Sequence, residues 1–189
     1  YLNKRIHNID ELSNIKSHLK RFEDIIEKAS DNAPYLHRPK NIPWLSSKII
    51  CPQRSKTNTF GYNEIPWYAS ADVYFITAKE NSEIELKYIL ALLNSKLYYQ
   101  WLYHRGKRKG ETLELYQKPL SEIPIKKISP EAQKPFIDVV DQILEITSDS
   151  NYDPKNPPEK QKKLELKIDE MVMDLYELTK EEKEIIRNF

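Results

Sequence analysis

Cysteine, glycine and long apolar runs are scarce in this sequence of 189 residues, and each shortage narrows the class of protein. The single cysteine, Cys51, excludes an internal disulfide framework and is compatible with a cytoplasmic location. No apolar run reaches about eighteen residues, so we expect no membrane span and no membrane partner. The chain begins at Tyr1 without a signal-peptide pattern, and we expect it to be a fragment of a longer protein. With only three glycines, the places where glycine occurs are informative.

Two of the three glycines, Gly106 and Gly110, enclose a cluster of positive charge. Its four cations are Arg105, Lys107, Arg108 and Lys109. Glycine lets a backbone approach a ligand closely, and we predict that these cations form a loop that neutralises phosphates. Aromatic side chains suited to stacking lie nearby: Tyr98, Tyr99, Trp101, Tyr103 and Tyr116. The alternative, which a charge run taken alone favours, is a solvated surface after a core helix.

The overall net charge of +1 hides an asymmetry between the two ends of the chain. Residues 1–128 contain 21 Lys and Arg against 14 Asp and Glu, a net charge of +7. Residues 129–189 contain 9 against 15, a net charge of −6. Because phosphate is attracted to the first and repelled by the second, we predict a phosphate-facing domain over 1–128. The helical region over 129–189, with a linker at about 148–158, would face protein or solvent.

Apolar spacing and turn residues predict an α+β fold. Apolar spacing predicts helices over 9–29, 130–147 and 159–178. Two further helices are predicted from capping boxes. One begins after Ser82 and Glu85 and extends to Gly106, and the other begins at Thr179, which is paired with Glu182. Strands are predicted at 48–51, within 67–78 and at 112–116. We therefore expect a mixed sheet with flanking helices, followed by a C-terminal pair of helices whose apolar stripes pack on each other.

The polar segment 53–63 is a second candidate for ligand contact. It carries Gln53, Arg54, Lys56 and Asn58, which are the residue types that donate hydrogen bonds to base edges or phosphates. Tyr68, just beyond it, is suited to stacking on a sugar, and the alternative is that it completes the core. A plain polar surface loop is an equal alternative on these residues alone.

Catalytic and metal-binding arrangements are weak in this sequence. Asp72, Glu85 and Lys87 have the order of a metal-dependent nuclease set, but Glu85 and Lys87 open a predicted helix instead of lying on a strand. The four histidines are far apart and the one cysteine has no partner, so no zinc site is predicted. A glycine-rich loop for S-adenosylmethionine is absent. We predict no catalytic residue, no metal ligand and no cofactor for this chain itself.

Four segments occur in an order that resembles a known family. They are Lys48–Arg54, Trp67–Ser70, Leu90–Leu97 and Leu120–Ile125. Together they resemble the TaqI-like C-terminal specificity domain, the target-recognition part of adenine-specific DNA methyltransferases and type IIG restriction-modification enzymes. The resemblance is best over about 48–125 and extends over about 9–146.

The resemblance implies a function and a partner. Residues 1–128 would be a DNA target recognition domain that binds double-stranded DNA in a sequence-specific way. An N-terminal methyltransferase domain of the same polypeptide would bind S-adenosylmethionine, with magnesium where the parent also carries a nuclease. Two alternatives stay open: a protein-interaction module with an incidental basic loop, and a nuclease domain built on Asp72, Glu85 and Lys87.

Overall fold

The computed structural model describes residues 9–21, 45–67, 69 and 72–189, and the chain divides into two compact units, residues 1–44 and 45–189. In the first unit a short 3-10 turn, Ile9–Glu11, leads into helix α1, Ser13–Lys20. This is the start of the predicted helix 9–29, whose remainder after Arg21 lies outside the described residues. The second unit contains the strands and the remaining helices.

The strands of the second unit form two small antiparallel sheets. In sheet A, β1 (Lys48–Pro52) lies between β3 (Gly61–Asn63) and β4 (Val73–Ile76). In sheet B, β6 (Thr112–Glu114) lies between β2 (Arg54–Ser55) and β5 (Lys107–Lys109). The α+β class is confirmed, and the expected mixed sheet takes the form of two antiparallel sheets.

One residue, Gln53, connects the two sheets. It separates β1 from β2 in the chain, and its backbone N–H donates to the Asp72 carbonyl at 3.0 Å beside sheet A. Its own carbonyl accepts from the Leu115 N–H at 2.8 Å, just past β6 of sheet B. Because both backbone groups of Gln53 are paired, the position of sheet B is fixed to that of sheet A.

The long helix predicted after Ser82 is two helices, α2 (Leu86–Leu93) and α3 (Lys96–Arg105). The break falls at Asn94 and Ser95, where the Ser95 hydroxyl accepts from the Tyr98 N–H and starts α3. The predicted capping box of Ser82 and Glu85 does not form. The Ser82 hydroxyl bonds to the backbone of Ile84 instead.

A buried glutamine from a later helix takes the place of that capping box. The chain continues through α4 (Gln117–Ser121) and an extended segment to α5 (Pro130–Thr147). Gln133 of α5 is fully buried, and its Oε1 accepts from the Glu85 N–H at 2.8 Å. Its Nε2 donates to the carbonyls of Glu83 and Ile128 at 2.9 and 3.2 Å. The start of α2 is therefore set by tertiary contact.

The C-terminal helices pack on each other and on the rest of the unit. They are α5, α6 (Glu159–Leu175) and α7 (Lys180–Arg187), the last with the predicted capping box of Thr179 and Glu182. The predicted packing of α5 on α6 is confirmed. Phe136 of α5 also meets Tyr88 of α2 edge to face, with ring centroids 5.4 Å apart, and Val172 of α6 is fully buried in the same core.

Hydrogen bonds tie the same helices to the sheet-bearing part of the unit. The Tyr98 hydroxyl donates to the Pro124 carbonyl at 2.5 Å and accepts from the Tyr176 hydroxyl at 2.7 Å. The Tyr176 oxygen accepts from the Lys126 N–H at 3.1 Å. Residues 45–128 and 129–189 contribute to one core within the unit 45–189. The domain boundary at residue 128 stays a prediction. No helix in the described ranges is both long and apolar enough to cross a bilayer.

Candidate nucleic-acid interface

Sheet B brings the two predicted contact segments together on one surface. Arg54 of β2 and Lys107 of β5 both lie directly opposite Glu114 of the central strand β6. Side chains that are opposite each other on neighbouring strands project from the same face. Lys109, two residues from Lys107, projects from that face as well. We call this surface, made by Arg54, Lys107, Lys109 and Glu114, the basic face of sheet B.

A carboxylate lies at the centre of the basic face. Glu114 Oε2 is 3.0 Å from Lys107 Nζ, and Glu114 Oε1 is 3.5 Å from Arg54 Nη2. The Glu114 side chain is only 6% exposed, whereas those of Arg54 and Lys107 are 54% and 64% exposed. The hydrogen bond from Lys107, helped by the charge of Arg54, lowers the pKa of Glu114. The carboxylate is thus ionised at neutral pH, with a cation on each side that also faces solvent.

Tyr116 completes this arrangement by orienting the guanidinium of Arg54. The Tyr116 hydroxyl accepts from Arg54 Nε at 3.2 Å and from Nη2 at 2.9 Å, and it donates to Glu114 Oε1 at 3.4 Å. The hydrogen bonding between Arg54 and the Tyr116 hydroxyl raises the pKa of Arg54. Lys107 Nζ lies 5.4 Å from the centre of the Tyr116 ring, within cation–π range. One edge of the Arg54 guanidinium is therefore fixed, and Nη1 has no partner among the described residues.

The basic segment is an edge strand in a hairpin, where the sequence predicted a loop. Gly106 ends α3 by donating its N–H to the Leu102 carbonyl at 2.9 Å, and a Cβ at this position would overlap that carbonyl oxygen. Gly110 has a φ of 60°, the left-handed region that suits the turn between β5 and β6. The two glycines therefore fix the strand at both ends instead of making it flexible.

The remaining cations of the segment differ in their surroundings. Arg108 projects from the other face of β5, where its guanidinium carbon is 3.7 Å from the centre of the Tyr103 ring. Arg105 and Lys109 are exposed and form no side-chain hydrogen bond or ion pair within the part of the chain that the structure describes. These two are available to an external anion without giving up an internal partner.

The other predicted contact residues are placed elsewhere or differently. The Asn58 amide donates to the carbonyls of Leu93 and Ser95 at 2.6 and 2.9 Å, so it closes the C-terminal end of α2. Lys56 is exposed beyond β2, and the backbone of Gln53 connects the sheets. Tyr68 lies outside the described residues. A DNA contact by any of these four stays a prediction.

The surroundings of Lys87 give no support to the nuclease alternative. Lys87 Nζ is 2.7 Å from Asp141 and 3.5 Å from Glu64, and it lies 5.2 Å from the centre of the Tyr62 ring. The hydrogen bond to Asp141 raises the pKa of Lys87. Across the described ranges, no three His, Cys, Asp or Glu side chains are grouped so as to bind a metal ion. Lys87 therefore has a structural role at the junction of α2, α5 and sheet A.

Sequence reasoning missed Glu114 as part of the site and named Tyr116 only as a nearby aromatic residue. A signal was present, because the alternating strand prediction at 112–116 places both residues on one face. What the sequence did not reveal is that this strand lies between the two basic segments. The corresponding sequence pattern is an acidic residue in one predicted strand, together with basic residues in two other predicted strands that could pair with it.

Comparison with known proteins gives a consistent result. The family profile of the TaqI-like C-terminal specificity domain matches residues 6–125. The type II methyltransferases M.HincII and M.HindII of Haemophilus influenzae are each 36% identical over 83 residues, which is 42% of this chain and 16% of each relative. The solved structure of the type IIL restriction-modification enzyme MmeI in complex with DNA matches 96% of this chain and 28% of its own, with a TM-score of 0.65 and 17% identity. The likeness to MmeI is one of fold, and this chain spans a small part of each relative.

Proposed function

Because this chain belongs to the TaqI-like C-terminal specificity domain family, we propose that it binds double-stranded DNA and selects the target sequence for a DNA methyltransferase or restriction-modification enzyme. The observation that carries this proposal is the basic face of sheet B. It collects cations from two segments that are distant in sequence onto one exposed surface. A surface of this kind has the charge and the reach to meet a DNA backbone.

The cations on and beside this face have different roles in the proposal. Arg105 and Lys109, which are exposed and unpaired among the described residues, contact phosphates and supply affinity for any sequence. Arg54, whose guanidinium is oriented by Tyr116, contacts a base edge and supplies discrimination. Lys107 is a point charge whose position is set by Glu114, and it contacts a phosphate next to that base.

The parent protein is also part of the proposal. We propose that an N-terminal methyltransferase domain of the same polypeptide binds S-adenosylmethionine and methylates adenine, with magnesium for any nuclease activity, in the cytoplasm. The M.HincII and M.HindII names support the methyltransferase, and the MmeI name supports the restriction-modification context. The acidic helices α5–α7 would lie away from the DNA, because their charge repels phosphate.

The proposal is tested by removing the two unpaired cations. The double variant Arg105→Ala/Lys109→Ala should bind every duplex more weakly, and the slope of log affinity against log salt should fall by about 0.9 for each phosphate that is no longer neutralised. Fluorescence anisotropy with a random-sequence duplex at several salt concentrations measures both quantities. The matched control is Lys155→Ala/Lys163→Ala, which removes the same charge from the acidic region.

Two results would contradict the proposal. One is an unchanged affinity and salt slope in Arg105→Ala/Lys109→Ala. The other is an equal loss of affinity in the control pair, which would mean that net charge alone, and not this surface, decides binding. Absence of any duplex binding by the wild-type chain would favour the protein-interaction alternative.

A further inference from the structure

Glu114 is a buried acidic residue in the middle of a surface that we propose binds DNA, and its presence there needs a physical explanation. Glu114 is almost inaccessible, so it is not itself suited to contact DNA. Its negative charge offsets part of the attraction that Arg54 and Lys107 exert on phosphate. A neutral residue at this position would give a more positive surface and stronger binding to any sequence. Glu114 thus lowers the general affinity for DNA, and its contribution to function has to lie in the orientation of neighbouring side chains.

The contacts of Arg54 show which geometry is involved. Nε and Nη2 converge on the single Tyr116 hydroxyl oxygen, and Nη2 also faces Glu114. The two donors place the Tyr116 oxygen at one edge of the guanidinium, and the Nη2 contact with Glu114 adds a second point that limits rotation of its plane. The edge that carries Nη1 is left pointing away from these partners. A guanidinium fixed before binding meets only a base edge that fits it, whereas a freely rotating one adapts to any phosphate.

Tyr116 links the orientation of Arg54 to that of Lys107. Its hydroxyl donates to Glu114 Oε1 while the Lys107 ammonium occupies Glu114 Oε2 and lies over the Tyr116 ring. Arg105 and Lys109 have no such partners among the described residues. The basic face together with the neighbouring Arg105 therefore presents two oriented cations and two unoriented ones, which is the division expected between base contact and phosphate contact.

We infer that Glu114 and Tyr116 are positioning residues that fix Arg54 for sequence discrimination at the expense of general affinity. This inference rests on the proposed function. For Glu114 it predicts effects of opposite sign on two measurable quantities, affinity for random DNA and discrimination between sequences. For Tyr116 it predicts a loss of discrimination with affinity for random DNA unchanged. A residue that only stabilises the sheet would change the affinity for every sequence by the same factor, through the fraction of folded protein, and would leave discrimination unchanged.

The experiment uses the full chain and a duplex pool randomised over about ten base pairs, with the bound fraction sequenced after selection. Tyr116→Phe removes only the hydroxyl, and its matched control is Tyr152→Phe in the linker between α5 and α6. We expect Tyr116→Phe to lower discrimination about tenfold at one or two base positions, the loss expected for one base contact. Affinity for the unselected pool and the midpoint of thermal unfolding should match those of Tyr152→Phe.

Glu114→Gln gives the second, opposite-signed result. We expect tighter binding of the unselected pool, because one negative charge is gone from the basic face, together with lower discrimination at the same base positions. Arg54→Ala should lower discrimination at those positions as well, since it removes the group that is being positioned.

The outcomes separate the inference from the function on which it rests. If Arg54→Ala lowers discrimination and Tyr116→Phe does not, the positioning role is wrong and the proposed function stands. If Tyr116→Phe weakens all duplexes equally and lowers the thermal midpoint, Tyr116 is structural and the inference is wrong. If the wild-type chain enriches no sequence from the pool, sequence selection itself is overturned, and the inference with it.

Discussion

Asp169 is an acidic side chain whose surroundings oppose its own charge. It lies on α6, and its Oδ1 accepts from the Lys96 N–H at 2.7 Å at the start of α3. Burial, together with the charges of Glu165 and Glu170, raises the pKa of Asp169, while the hydrogen bond and charge of Lys96 lower it by less. The ionised form is therefore disfavoured in the folded state relative to the unfolded chain.

This raised pKa gives a signed prediction for Asp169→Asn. A carboxyl whose pKa is raised on folding binds more protons in the folded state, so its contribution to the free energy of unfolding falls as pH rises from about 4 through its folded pKa. Asparagine keeps an oxygen to accept from Lys96 and does not titrate. Urea unfolding of Asp169→Asn and wild type should show the difference moving in favour of the variant between pH 4 and pH 7. A difference that is flat, or that moves toward wild type, would contradict the raised pKa.

At the scale of elements, the start of α2 depends on Gln133 more than on its own sequence. Replacing Gln133 by Leu leaves the Glu85 N–H and the carbonyls of Glu83 and Ile128 without their partner. A buried polar group without a partner costs about 1–3 kcal/mol, so we expect Gln133→Leu to lower the free energy of unfolding by at least that amount. The control, Ser82→Ala, removes the residue that the sequence predicted as the cap and should cost less than about 0.5 kcal/mol. Chemical denaturation of both variants measures this, and the reverse ranking would contradict the structure.

The elements that the sequence predicted correctly depend on local signals. β1, β6, α5 and the capping box of α7 follow from β-forming runs, apolar spacing and a Thr179–Glu182 pair that only needs its own helix. The break between α2 and α3 was missed because the apolar spacing continues through it, and the stop is made by contacts with Asn58, a residue distant in sequence. The two-sheet arrangement was missed for the same reason, since strand pairing between β2 and β6 joins distant segments.

At the scale of the molecule, residues 45–189 are expected to unfold as one unit. Val172 on α6 is fully buried in the core that also contains β1 and α2. Val172→Ala should therefore lower the free energy of unfolding by about 2 kcal/mol and reduce hydrogen-exchange protection in β1 and α6 together. The control on the same helix is Leu166→Ala, whose side chain is 59% exposed, with an expected change below about 0.5 kcal/mol. Loss of protection confined to the C-terminal helices would instead support a separate domain after residue 128.

The charge asymmetry led to the predicted boundary at residue 128, which stays a prediction, and the core shared by 45–189 shows that charge and core packing divide the chain differently. Charge patterning describes surfaces, whereas a domain is defined by a shared core. The apolar stripe of α5 has two neighbours, α6 and α2, and only the first was evident from sequence. For the candidate site, the basic residue types were predictable from sequence. The grouping of Arg54 and Lys107 around the Glu114 carboxylate was not, because it depends on pairing between distant strands.

The sharing of Glu114 by two strands has a consequence for how this surface changes over evolution and in engineered libraries. A change at position 54 or 107 alone weakens the neutralisation of a carboxylate that water barely reaches, and removing both cations leaves it unpaired. Identities at 54, 107 and 114 should therefore vary as a set, with an apolar or amide residue at 114 accompanying the loss of a cation at 54. A library that varies position 54 alone would include many chains in which Glu114 keeps Lys107 as its paired cation and loses Arg54. A library that varies positions 54, 107 and 114 together should contain folded chains with new recognition properties.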